Sequence, residues 1–386
     1  MSTTEASIDF PALFTPLQVG THTIQNRIGM SALTRNRATG TYPTELMKEY
    51  FVQRARGGNG LIVTDGILIT RQGTEWQNAP GIWDEKHISG WKTVTDGVHE
   101  AGSKIYAQLW HLGRISHPDA PEQKLAGVPV YAPSAISARG GKFRFLPGQP
   151  GYTTPTELDE STIWKLIGQY KQAAVNAKAA GFDGVELHGA NGYLIAQFLD
   201  NSSNHRSDQW GGSAENRARF GLEVLKVFKK VFGQDVAIRV SPAGGYNDVG
   251  MPIDDTIETF SYFLSEADKL GLAYITFIRY SSYFDIEIDG VHRSTKFDVL
   301  ETLRPFIKNA KVFLNAGVTP GEGQQYISEG KIDGIMIGFH MITHPDYANR
   351  VKNGKPLDNV PNYQYTQRNL SDEDWYTGYT DYPFAK

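Results

Sequence analysis

The chain has 386 residues, 40% of them hydrophobic and 21% charged, which suffices for a large core in one long α/β domain or two shorter ones. A formal net charge of −4 and a pI near 6.2, with no long basic run, argue against nucleic acid or an anionic membrane as a partner. With no cysteine at all, disulfides, thiolate zinc sites, iron–sulfur clusters and a cysteine nucleophile are excluded.

The first residues, Met1 to Phe10, carry acidic and hydroxyl groups without an apolar run. No stretch approaches the roughly 18 apolar residues of a spanning helix. A soluble, cytoplasmic protein is therefore expected. Eight short apolar, β-branched runs follow in chain order, at 28–30, 61–64, 104–109, 184–187, 236–240, 273–277, 311–314 and 334–337. Each is bounded by Gly, Asp or Pro and reads as a buried parallel strand. The intervening segments suit helices. Residues 161–180 have an Ala- and Lys-rich interior with Gly181 behind it, and 213–232 end in the same way at Gly233.

Strands alternating with helices along the whole chain predict a single (β/α)8 barrel domain over residues 1–386. Functional residues of that fold gather at the C-terminal ends of the strands. The polar residues expected there are Thr34, Asp65, Gln108, His188, Arg239, Arg279 and Asn315. One stretch breaks the rhythm. Residues 116–155, rich in Pro, Gly and Ser, read as a long insertion after the third strand that caps the barrel mouth.

The densest chemistry lies in His188-Gly-Ala-Asn191-Gly-Tyr193 at the end of the fourth strand. His and Asn side chains can donate hydrogen bonds to one developing oxyanion, and a protonated Tyr can act as a general acid. The set suits polarising a carbonyl and protonating a nearby carbon. Two other readings stay open on these residues alone. His188 and Asn191 can satisfy backbone groups at a strand–helix junction, or His188 can join His111 or Asp65 in a metal-dependent aldolase or hydrolase site. No H-E-x-x-H pairing accompanies them, and no metal is expected.

Several blocks in order resemble the old yellow enzyme family of FMN-dependent barrel reductases. They are Leu13-Phe-Thr-Pro16 with Gln25-Asn-Arg27, Leu33-Thr-Arg-Asn-Arg37, Gln108-Leu-Trp-His-Leu-Gly-Arg114, and His188 to Tyr193 extended by Gln197-Phe-Leu199. Trp210-Gly-Gly-Ser213 with Glu215-Asn-Arg217, and Tyr379-Thr-Asp-Tyr-Pro383, complete the set. The resemblance implies FMN and a nicotinamide donor, NADPH or NADH, with activated alkenes as small-molecule substrates and a monomer or homodimer as the assembly. It implies that Thr34 bonds the flavin carbonyl next to N5, that Gln108 pairs with the pyrimidine edge, and that Arg239 lies near N1, with Gly66 also in the flavin set. His188 and Asn191 would hold the substrate carbonyl, Tyr193 would deliver the proton, and Trp110 and Tyr363 would wall the substrate pocket. An isomerase or biosynthetic variant of the same pocket is the related alternative.

The chain departs from the family pattern after the eighth strand. Gly317, Val318, Gly338 and Phe339 offer backbone N–H groups to the FMN phosphate. The arginine that many members carry after that last glycine is here Phe339, leaving Arg279 and His340 as substitute cations nearest in sequence. Asp65 stands where a Glu is usual, and Ala196 replaces a frequent acid.

Overall fold

The computed structural model describes residues 9–367 and 374–386, so most of the reading of Met1 to Phe10 lies outside the described residues. Among the described residues, eight parallel strands close a barrel. They are β1 (Ile28–Met30), β2 (Leu61–Leu68), β3 (Lys104–Trp110), β4 (Gly184–Gly189), β5 (Val236–Val240), β6 (Tyr274–Ile278), β7 (Lys311–Asn315) and β8 (Gly334–Ile337). Each pairs with its neighbour in sequence, and β8 returns to β1 through Ile335 opposite Ile28. The continuous apolar runs form these strands because both faces are covered, by the barrel interior on one side and helices on the other.

The main outer helices are α1 (Glu45–Arg56), α2 (Glu85–Glu100), α3 (Glu160–Ala179), α4 (Ala214–Phe232) and α5 (Ile253–Lys269). Shorter α6 (Val299–Leu303) and α7 (Pro320–Ser328) follow β6 and β7. Side-chain oxygens start most of them. Asp159 accepts from Thr162 N, Ser213 from Asn216 N, and Thr319 with Glu322 forms a reciprocal capping box. Beyond α3 the chain reverses at Gly181, and beyond α4 at Gly233, both with positive φ (+85° and +60°).

The N-terminal end of the barrel is closed by a hairpin, Leu17–Val19 against His22–Ile24. Its Leu17, Val19 and Ile24 pack on Leu61, Tyr106, Tyr274 and Phe313 in a satellite core. The opposite end stays open and carries the 116–155 segment. That segment holds a short helix, Pro121–Ala126, and its strand Tyr131–Ala132 pairs with Thr156–Glu157.

Two sequence expectations need correction. β2 does not stop at Thr64. Its ladder to β3 slips between Val63 and Gly66 and resumes with Gly66 opposite Gln108, so Asp65 lies in an irregularity inside the strand rather than at its end. Its buried carboxylate accepts the Arg35 N–H at 3.1 Å. Arg279, one residue past β6, does not line the large cavity at the barrel mouth but pairs with Glu322 in the first turn of α7.

Candidate active site

A cavity of about 810 Å³ opens at the C-terminal face, within the usual range for a ligand or cofactor site. Parallel register sets its floor. Gln108 on β3 lies opposite Glu186 on β4, and His188 lies opposite Arg239 on β5. Glu186 and His188 are two apart, hence on the same face of the strand. The Gln108 amide donates to the buried Glu186 carboxylate at 2.7 Å. Burial pushes the Glu186 carboxyl up, with Arg239 and Gln108 opposing. Arg239 is itself buried. It donates to the Ala32 carbonyl at 3.2 Å and to Asn315 Oδ1 at 3.0 Å, and its Nε has no partner in the protein.

Thr34 reaches the cavity from the extended stretch after β1, and its hydroxyl oxygen accepts the Gly66 N–H at 3.0 Å. That leaves the hydroxyl hydrogen for a second partner. Gly66 is fixed by contact, because a Cβ there would lie 2.6 Å from the Trp110 ring. The floor thus presents a hydroxyl donor, an amide and a cation with a vacant N–H, all converging on one space.

The reactive set stands above it. His188 is buried, and burial with Arg239 beside it holds the imidazole well below its usual range, so the ring is neutral. The Ala190 N–H points at Nδ1 from 3.4 Å, which leaves the ring proton on Nε2. The His188 and Trp110 rings stack with centroids 6.1 Å apart, and Tyr193 meets each edge-on, at 5.0 and 4.9 Å. Asn191 is in left-handed conformation (φ +58°), its N–H bonded to Ser241 Oγ and its carbonyl to Asn247 Nδ2, both at 2.8 Å. Its side chain lines the cavity and bonds to none of the described residues. Burial pushes the Tyr193 phenol up, helped by Tyr246, Glu75 and Tyr152, so it stays protonated at neutral pH.

The capping segment contributes Lys142, Arg144, Phe145 and Gln149 to the walls, while Tyr246, Tyr283 and Tyr363 come from later loops. The cap is expected at the mouth as a segment and Tyr363 as a pocket wall, whereas the individual cap residues and Tyr246 are not singled out by the sequence. Trp76, which packs on Trp110 at 6.1 Å and Phe145 at 5.0 Å, also escaped the sequence reading. Glu186 was legible in principle, standing two residues before His188 in the same strand.

Phe339 lies at the rim between Tyr283 and Tyr363, with ring centroids 5.5 and 6.3 Å away. Neither expected substitute cation is free beside it. Arg279 forms an ion pair with Glu322 at 2.9 Å and donates to the carbonyls of Ala316 and Gly317. His340 is exposed and packs toward His344 and Tyr347. Gly317 turns with φ +72° and Val318 is buried behind it, whereas Gly338 precedes the short helix Phe339–Thr343. A second hollow of about 670 Å³, lined by Arg279, Asp298, Arg304 and Tyr326, holds none of the reactive set.

A metal arrangement is not what the geometry brings together. Among the described residues no group of three or more His, Asp or Glu is placed to hold a metal ion. His111 accepts the Gly113 N–H on Nδ1 and is buried against Gly73, and burial drops its pKa to about 3.

Comparison with known proteins agrees with this geometry. Residues 12–358 match the NADH:flavin oxidoreductase / NADH oxidase family. Chanoclavine-I aldehyde reductase of Penicillium roqueforti is 37% identical over 97% of this chain and 96% of its own. A probable inactive reductase of Epichloe festucae var. lolii is 36% identical over 97% and 95%. The structure of the old yellow enzyme homologue from Zymomonas mobilis superposes with a TM-score of 0.86 at 32% identity, over 96% of this chain and 99% of that one. The donors that floor the cavity fit a flavin ring, and the chain belongs to the old yellow enzyme family of FMN-dependent, NAD(P)H-linked oxidoreductases.

Proposed function

We propose that this protein reduces the activated C=C bond of α,β-unsaturated carbonyl or nitro compounds. The observation that carries the reading is the single cavity into which Thr34, Gln108 and Arg239 converge with His188, Asn191 and Tyr193. FMN, when bound, supplies an acceptor for the nicotinamide hydride and a donor of hydride to the β-carbon of the alkene.

The chain's own residues do the rest. Thr34 offers its free hydroxyl hydrogen to a ring carbonyl, and Gln108 offers its amide to the pyrimidine edge. Arg239 places a buried positive charge where reduction leaves negative charge. Backbone N–H groups of Gly317, Val318, Gly338 and Phe339 cradle the phosphate. Trp110 and Tyr363 wall the substrate. The Nε2–H of His188 and the amide of Asn191 donate to the substrate oxygen, where negative charge grows as hydride arrives. The Tyr193 O–H bond breaks, its proton goes to the α-carbon, and the phenolate is reprotonated from solvent. A buried, neutral phenol is suited to that step because it holds its proton until charge develops beside it.

Anaerobic titration with NADPH should bleach the flavin absorbance, and adding an enone or nitroalkene should restore it with saturated product formed. Flavin that bleaches but is reoxidised by none of these acceptors would refute the proposal.

A further inference from the structure

One acid near this site has no role in the mechanism above. Glu75 lies in the loop that follows β2, and only 8% of its surface is exposed. The loop is pinned from both sides. Gly73 N–H donates to Gln123 Oε1 at 2.8 Å, the Gly73 carbonyl accepts from Leu112 N at 2.9 Å, and Thr74 Oγ1 accepts from Trp76 N at 3.1 Å. Glu75 is therefore not free to swing into solvent, and its Oε2 is fully buried with no hydrogen-bond partner. Burial of the carboxyl outweighs the Arg144 charge and the Trp76 side chain, which both favour the ionised form, so the protonated form is favoured.

The groups around it belong to the active site. Its neighbour Trp76 packs on Trp110, and Trp110 packs on Tyr193. Tyr193, Tyr152 and Tyr246 each feel the Glu75 charge, and Arg144 of the cap is the cation that acts on it. Tyr152 in turn donates to Asn247 Oδ1 at 3.2 Å, and Asn247 holds the Asn191 carbonyl. The charge of this carboxyl thus bears on three phenols, and one guanidinium bears on it.

We propose that Glu75 is a positioning residue for the proton of Tyr193: protonated, it keeps the phenol's surroundings free of negative charge, and its ionisation suppresses proton delivery. This rests on the reading of Tyr193 as the proton donor. The sign follows from charge. An ionised Glu75 opposes formation of the Tyr193 phenolate and makes the phenol a weaker acid. Burial lifts the Glu75 carboxyl to about 8, with Arg144 opposing, so the group is protonated at neutral pH and ionises just above it.

Two measurements test this. Alkene reduction by the pre-reduced holoenzyme, followed by stopped flow, should slow as pH rises through about 8. The Glu75→Gln variant should lose that inflection, and Glu75→Asp, which restores a titrating carboxyl, should regain it. Independently of turnover, protein labelled with ¹³C at glutamate carboxyls should show one resonance titrating near pH 8 that is absent from Glu75→Gln. A Glu75→Gln profile identical to wild type, or glutamate resonances that all titrate in the ordinary carboxylate range, would overturn the assignment. Failure of the wild type to reduce any alkene would instead strike the proposed function, while the resonance still reports on Glu75.

Discussion

Asp248 ties the capping segment to the barrel, and neutralising it should loosen both the fold and the site. Its carboxylate, about 5% exposed, accepts from Arg139 N, Nε and Nη2 at 3.0, 3.1 and 3.0 Å. Arg293 Nε lies 3.0 Å from Oδ1, at an angle that makes the contact electrostatic rather than a hydrogen bond. Arg114 donates to the Asp248 carbonyl at 2.7 Å. Asn247 and Asp248 both adopt left-handed conformations (φ +59° and +57°), which asparagine tolerates well, so Asp248→Asn removes the charge with little change in backbone preference. Breaking a buried ion pair from one side costs about 3–5 kcal/mol. Here the Arg139 side chain is 53% exposed and can turn to water, and an amide oxygen still accepts one bond, which lowers the expectation to roughly 2–3 kcal/mol. Urea unfolding followed by tryptophan fluorescence measures the loss. Because Asn247 holds Asn191 and Tyr152, the Michaelis constant for the alkene should also rise. A stability within about 0.5 kcal/mol of wild type would refute the reasoning, because surface substitutions alone reach that size.

Three further outcomes are expected. His188→Ala should slow alkene reduction by roughly 10²–10³-fold, and should loosen the binding of phenolate ligands that mimic the oxyanion; unchanged phenol affinity contradicts the role given to Nε2–H. Tyr193→Phe should leave flavin reduction by NADPH intact while slowing reoxidation by alkenes by roughly 10²–10⁴-fold, a split visible by stopped flow. Phe339→Arg should tighten FMN about tenfold or more, measured by flavin fluorescence quenching on reconstitution; unchanged affinity would mean that the backbone cradle already suffices.

The strands were largely legible because apolar runs buried on both faces leave little ambiguity. Residues 28–30, 236–240 and 334–337 were read with the bounds observed. β2 was read short because the apolar run ends at Thr64 while its hydrogen bonds to β3 continue to Leu68. β6 was set one residue early, at 273 rather than Tyr274, which is within the normal uncertainty of element ends. Arg279 belongs to the polar ring by its position after β6, but no local pattern reveals that Glu322 of α7 takes up its guanidinium.

The sequence by itself determined the order of strands and helices, and singled out the segment from His188 to Tyr193 as the candidate for the reacting groups. Those features depend on spacing along one strand or loop, which the chain writes locally. Tertiary structure alone decided that Gln108 bonds to Glu186, that Glu75 is buried with an unpaired oxygen, and that Asp248 meets three arginines from distant segments. Burial and charge pairing between such segments depend on barrel closure, and no local periodicity encodes which side chains that closure brings together.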